Sequence, residues 1–319
     1  MSIITNIKNV FSKTKAFEHI GIALRKNSIA YCAKKSSNDK VNGKTNDTET
    51  ETETETEKNC HSIDIINNSF IDTLKNLTET YPLKGECHLV LSNNQSHIVQ
   101  VDKPSVPDEE INDAVKWQIK DLVNIDPENM VVDYFDGPVL TGGAEKINVV
   151  CTSKNDLLEL VTALNIDNLN VTSITTEEFA FASLIPINSD AVLMVCQQPN
   201  EEVNLLIIKD GRLFFSRRLR GLSQIATKTE DELSMGVIDS LSLEIQRSTD
   251  YFERQLKQSP IRSIEVIVPI AHEAFLARKL AENTNIDVKL LTMPDSFENE
   301  RENAVAIAAT QLNFMEAQE

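Results

Sequence analysis

No apolar run in this sequence approaches the ~18 residues that a bilayer-spanning helix needs, which argues against a helical membrane channel or transporter. Cationic residues are also short. The chain has 31 Lys and Arg against 49 Asp and Glu, a net charge of −18. That balance argues against nonspecific nucleic-acid binding, which needs clustered cations to displace counterions. Glycine is scarce, at 9 residues in 319, and there is no Gly-x-Ser-x-Gly elbow and no P-loop. The one glycine-rich spot, Thr141-Gly142-Gly143, joins two predicted strands. A phosphate cradle would need a helix to follow, so it reads as a plain loop. The histidines His19, His61, His88, His97 and His272 lack zinc-ligand spacing. The cysteines Cys32, Cys60, Cys87, Cys151 and Cys196 show no C-x-x-C pair, and each sits in or beside an apolar run. They read as five buried thiols in a reducing compartment, with no disulfide framework and no metal site.

The segment Met1–Phe11 lacks the h-region of a secretion signal, so the expected location is the cytosol, with any membrane association through a partner. Its Ile3, Ile4, Ile7, Val10 and Phe11 fall at helical spacing. They read either as a helix packed on its own domain or frayed, or as a surface-seeking helix. From Lys34 to Asn59 apolar residues nearly vanish, and Thr48–Glu57 alternates Thr with Glu. Such a segment cannot bury enough surface to offset its ordering entropy, and it reads as a disordered acidic insertion at a hairpin tip.

What is present is a normal globular core, 41% apolar, in a chain long enough for two domains. Strands are predicted at His19–Leu24, Ser28–Cys32 and His61–Ile66, followed by a helix over Phe70–Thr80. A hairpin on Ser92-Asn93-Asn94 joins the strands His88–Leu91 and His97–Val101. Pro107 and the acids after it open a helix running to about Val123, with Ile111, Val115, Ile119 and Leu122 as its apolar stripe. Trp117 projects from the opposite side, either as an exposed anchor or packed under a sheet. Strands Met130–Tyr134, Ile147–Thr152 and Asn170–Ile174 and helices Asn155–Leu164 and Glu177–Leu184 complete the first half. The second half opens with three strands, Ala191–Cys196, Val203–Ile208 and Leu213–Arg217. Asp210-Gly211 makes a strong hairpin signal between the last two. A long helix from Asp231 to about Leu256 follows, then strand Ile264–Val268, helix His272–Glu282, strand Val288–Leu291 and an alanine-rich helix Asn303–Leu312. A β-β-β-α-β-α pattern thus occurs twice, an α/β architecture of mixed sheets flanked by helices.

This order resembles the actin-like (ASKHA) fold and, within it, the PilM family of type IV pilus assembly proteins, in particular its MSHA-pilus branch. The resemblance is carried by His19-Ile20-Gly21-Ile22-Ala23, by Val106-Pro107 with Ile111, Ala114-Val115 and Trp117, and by Val131-Val132-Asp133-Tyr134. Gly211 to Arg217, Leu243 to Ser248 with Tyr251-Phe252, and Ala304 to Ala308 add to it. It covers nearly the whole chain outside 34–59.

The resemblance implies two actin-like domains, 1–185 and 186–302, with an inserted subdomain at about 82–145 and a C-terminal helix, 303–319, returning to the first domain. Three departures accompany it. The family's opening Gly-x-Asp-x-Gly is here Gly21-Ile22-Ala23-Leu24-Arg25. Its second phosphate loop, Asp-x-Gly, falls at Val195–Gln198 and has neither residue. Its adenosine-side Gly-Gly is Pro269-Ile270. Without the carboxylate there is no evident Mg²⁺ ligand, and side chains stand where backbone N–H groups would meet phosphate.

The expectation is therefore a non-catalytic scaffold with no cofactor. It would bind the cytoplasmic N-terminal tail of a bitopic inner-membrane PilN-like protein and other platform components. Val106, Pro107 and Trp117 are the candidate partner-binding residues, and homo-oligomerisation is left open. A nucleotide-binding ATPase or switch is the alternative, with Arg25, Glu244 and Arg247 as candidate ATP contacts. A type II secretion subunit is another, less favoured because that subunit usually continues into a spanning helix.

Overall fold

The computed structural model describes residues 18–35, 59–81, 83–137, 145–165 and 169–312. Most of the acidic insertion, the Met1–Phe11 segment and Thr141-Gly142-Gly143 lie outside the described residues.

Two five-stranded sheets form the body, and they share one topology. In the first, β1 (Glu18–Leu24), β2 (Ser28–Lys35) and β3 (Asn59–Asp64) make an antiparallel meander. Helix α1 (Phe70–Thr80) follows, and then β4 (Gly85–Leu91) lies parallel to β1 on its other side. The order is β3-β2-β1-β4-β8, with β8 at Leu169–Thr176. The second sheet repeats it as β11-β10-β9-β12-β13. Its strands are β9 (Val192–Cys196), β10 (Val203–Lys209), β11 (Arg212–Leu219), β12 (Ser263–Ile267) and β13 (Asp287–Leu290). The central β9 is buried along its whole length, as a strand covered on both faces must be. Asp210 and Gly211 both take positive φ, 52° and 72°, the pair that a two-residue hairpin between twisted strands requires.

The outer face of the first sheet packs on α1 and α3 (Lys154–Asn165), through Leu74, Leu77, Leu160 and Leu164. The outer face of the second packs on α5 (Ile238–Asp250) and α6 (Glu273–Thr284), through Leu241, Ile245, Leu276 and Leu280. The inner faces share one core with α4 (Glu177–Ser183) and α7 (Ala304–Ala309), in which Val90, Phe181, Met194, Leu206 and Ile267 meet. The two lobes are thus joined by a continuous apolar layer.

Alanine lets α7 come close to β1. A Cβ built on Gly21 would lie 1.9 Å from the Ala306 carbonyl oxygen and 2.8 Å from Ala309 Cβ. Gly21→Ala is therefore expected to cost at least about 1–3 kcal/mol, read as a lower denaturant midpoint at unchanged slope. Ala309→Gly in the same chain should not restore it, because the nearer obstacle is backbone.

Several expectations are corrected. Ser92–Asn94 does not close a hairpin: β4 belongs to the first sheet, and β5 (Ser96–Asp102) pairs with β7 (Lys146–Ser153) in a separate three-stranded sheet, β5-β7-β6. β6 is Met130–Asp136. The inserted subdomain therefore spans Ser96 to Ser153 rather than about 82–145, with α2 (Asp108–Ile119) on its sheet. Leu122, beyond the end of α2, is 62% exposed and leaves the apolar stripe. The long second-half helix breaks at Met235 and Gly236, where φ reaches 116°, a value glycine adopts without a Cβ penalty. Cys32 and Cys60 are not isolated thiols. They face each other in the β2–β3 register and form a disulfide, with Cα atoms 4.1 Å apart. Their separation of 28 residues hid this, because the strand register that pairs them closes only around the insertion. Cys87, Cys151 and Cys196 are free and buried.

Candidate functional site

Equivalent turns of the two meanders meet between the lobes. In the first lobe Arg25-Lys26-Asn27 joins β1 to β2, closed by Arg25 N–H to the Ser28 carbonyl at 2.9 Å. In the second, Gln197 to Glu202 joins β9 to β10, with Asn200 at φ 61° and Glu201 N–H donating to the Gln198 carbonyl at 3.1 Å. Between these turns lies the start of α4, where Glu177 and Glu178 follow β8 directly. Acidic residues suit the first turn of a helix, but both of these are buried.

Arg25 is 2% exposed. Its Nε donates to Gln198 Oε1 at 3.2 Å and Nη1 to Ser62 Oγ at 3.2 Å, while Nη2 reaches the Glu302 carbonyl at 2.5 Å and Asn303 Oδ1 at 3.4 Å. Gln198 passes the chain on, its Nε2 donating to Glu177 Oε2 at 2.5 Å. Asn93 and Asn204 donate to Glu177 Oε1 at 2.5 and 2.7 Å. The backbone N–H of Lys26 donates to the Glu201 carboxylate, tying turn to turn. Burial lowers the Arg25 pKa to about 10 against the opposing pull of Glu302, Glu201 and Glu177. Burial, then the neighbouring Glu178, pushes Glu177 up to about 8, with the amides of Gln198 and Asn204 pulling the other way. Burial also raises Glu178 and Glu201.

Pro269 and Ile270, after β12, adjoin a second closure. Arg301 forms a bidentate pair with Glu273, Nε to Oε2 at 2.7 Å and Nη2 to Oε1 at 2.8 Å, and donates to the carbonyls of Leu291 and Val266. Glu273 in turn accepts from the Val268 N–H at 2.7 Å. Polar side chains thus bond to one another across the junction. Ala23, where the resemblance implies a metal-side carboxylate, is wholly buried in the shared core. Among the described residues no cluster of His, Cys, Asp or Glu is arranged to hold a metal.

The predicted nucleotide contacts are not brought together. Glu244 pairs with Arg217 at 3.1 Å and Arg247 at 2.5 Å. It lines a cavity of about 270 Å³ with Arg218 and Arg220 that Arg25 does not touch. Val106 and Trp117 are exposed, Trp117 to 62%, and Pro107 precedes the first turn of α2. None of these three lines either of two larger clefts. One, about 690 Å³, runs beside β6 and is walled by Phe135, Phe179, Ala182, Leu213 and Leu312, with Phe135 and Phe179 edge to face at 5.0 Å. The other, about 500 Å³, lies between β5 and β11. Glu177, Gln198, Asn204 and Asn303 were missed as site residues. The altered loop at Val195–Gln198 was visible in the sequence, but what Gln198 bonds to was not. The groove aromatics gave no signal beyond strand and helix periodicity.

No protein-family model and no curated protein matches the sequence. Among solved structures the chain is similar to a PilM–PilN type IV pilus biogenesis complex, at 14% identity and TM-score 0.64, over 93% of this chain and 98% of that one. It is similar to the cytoplasmic domain of EpsL, an inner-membrane component of the type II secretion system of Vibrio cholerae, at 12% identity and TM-score 0.52, over 93% and 96%. A protein of actin-like ATPase fold from Bacteroides thetaiotaomicron matches at 10% identity and TM-score 0.50, over 93% and 97%. The fold is the two-lobed actin-like one, with mixed sheets flanked by helices.

Proposed function

We propose that this chain is a non-catalytic actin-like scaffold of a type IV pilus assembly platform, of the MSHA type that its sequence resembles. In this reading it sits in the cytoplasm, peripheral to the inner membrane, and binds the cytoplasmic tail of a bitopic PilN-like protein. The observation that carries the reading is the Arg25–Gln198–Glu177 chain, because it fills with bonded side chains the place where the family resemblance implies phosphate. The likeness to the PilM–PilN complex supports the choice of machine and of partner. For the tail, the groove beside β6 supplies an apolar wall and a strand edge unpaired among the described residues, which suits an extended peptide. A type II secretion platform is the second reading, favoured only by the likeness to EpsL.

Calorimetry with ATP and Mg²⁺ tests the non-catalytic part. The expected result is no binding tighter than about 10 μM, about −7 kcal/mol, and no phosphate release. Tighter binding with turnover overturns it. The partner is tested with synthetic tails of PilN-like and type II bitopic proteins. The first should bind, and Phe179→Asp should abolish that binding without unfolding the chain. Preference for the second moves the protein to the secretion platform.

A further inference from the structure

β5 and β11 are outer strands of different sheets, and both border the cleft of about 500 Å³. The cleft touches Ser96 to Gln100 of β5 in an unbroken row, and Leu213 to Ser216 of β11 likewise. Successive strand residues point to opposite faces. A cavity that meets every residue in a row therefore reaches the backbone edge, and through Asn148 and Phe135, in register with Gln100, it also extends over one face of the small sheet. Among the described residues neither edge is paired on its outer side, so each presents the N–H and C=O groups that an added strand uses.

Two observations narrow the occupant. Arg218 lies near the end of β11 and Arg220 in the turn just after it, and both are exposed at the cleft. In a chain of net charge −18 this is a local basic cluster at the end of the strand. Glu178 also lines the cleft, 3% exposed, and its Oε2 meets no hydrogen-bond donor among the described residues. A buried acceptor left so is costly, and the backbone N–H groups of an incoming strand are donors of the right kind. A basic ligand would suit Glu178 but oppose both arginines; an acidic strand offers carboxylates to the arginines and N–H groups to the floor.

We propose that the β5–β11 cleft is a docking edge for an extended acidic segment of a partner protein. Its backbone adds to the free strand edges, and Asp or Glu at alternate positions meets Arg218 and Arg220. The cleft is distinct from the groove beside β6, although Phe135 and Leu213 touch both, and the inference does not depend on the pilus reading.

The test is fluorescence anisotropy on the full chain with three labelled peptides: Glu alternating with Thr, the same with Lys for Glu, and the first with Pro for Thr. Only the first should bind, more weakly as salt rises. Arg218→Glu with Arg220→Glu should weaken it about tenfold or more, and the paired Arg→Gln changes should weaken it less. Hydrogen exchange should slow in β5 or β11 on binding. No binding up to about 1 mM, equal binding of the Lys or Pro peptide, indifference to the arginine changes, or protection only elsewhere would each overturn the proposal.

Discussion

Arg25→Ala is expected to lower the unfolding free energy by about 3–5 kcal/mol, the cost of removing one partner from a buried charged network. The change strands Gln198 Oε1, Ser62 Oγ, the Glu302 carbonyl and Asn303 Oδ1 as acceptors, and it removes a cation from among Glu302, Glu201 and Glu177. Arg25→Lys should recover little, because one ammonium cannot reproduce a planar fork that engages partners on three nitrogens. Denaturant titration measures the loss. A phosphate-binding arginine behaves differently. It would be under-satisfied without ligand, and its removal would cost nucleotide affinity while leaving stability nearly unchanged. The same variant thus weighs the scaffold reading against the nucleotide switch.

Stability is expected to fall as pH rises from about 5 to 8, on account of Glu177. Its folded pKa of about 8 lies above the ordinary 4.5 because burial, reinforced by Glu178, disfavours the anion. Between those values the folded state holds more protons than the unfolded one, so the slope of stability with pH is negative. The contribution is whole below about pH 4.5 and lost by about pH 8, on the order of 5 kcal/mol as an upper figure. Glu177→Gln tests the assignment. It keeps an oxygen for Asn93 and Asn204 but sets an amide N–H₂ against Gln198 Nε2. Gln198 can turn over to accept only by releasing Arg25. The variant should therefore be less stable than the natural chain near pH 5, by about 1 kcal/mol for the lost bond, and more stable near pH 9. Curves that run parallel instead of crossing would assign the pH dependence to other groups, Glu178 and Glu201 first.

Much of the fold was legible, for local reasons. Apolar runs marked β9 and β10, and Asp210-Gly211 marked the hairpin from β10 to β11. The duplicated element order led to the actin-like fold. Strand partnership was less legible. β4 and β5 follow each other with turn residues between them, yet they lie in different sheets, because β4 has two buried faces to satisfy and β5 closes the small sheet with β7. The break at Gly236 was also hidden, since a single glycine is tolerated within a helical pattern and only its φ reveals the kink.

Residue types and their order determined that the chain folds as two repeated α/β halves, and that the turns at Arg25 and Gln197–Glu202 carry side chains too large for a glycine cradle. Those are local properties, set by periodicity, turn chemistry and the presence of a Cβ. Tertiary structure alone decided that the two turns bond to each other, Arg25 to Gln198 and Lys26 to Glu201, that Cys32 meets Cys60, and that β5 and β11 share a cleft. Each joins residues far apart in the chain, and contacts across such separations depend on strand register for the cysteines and on how the sheets close around α4 and α7 for the others.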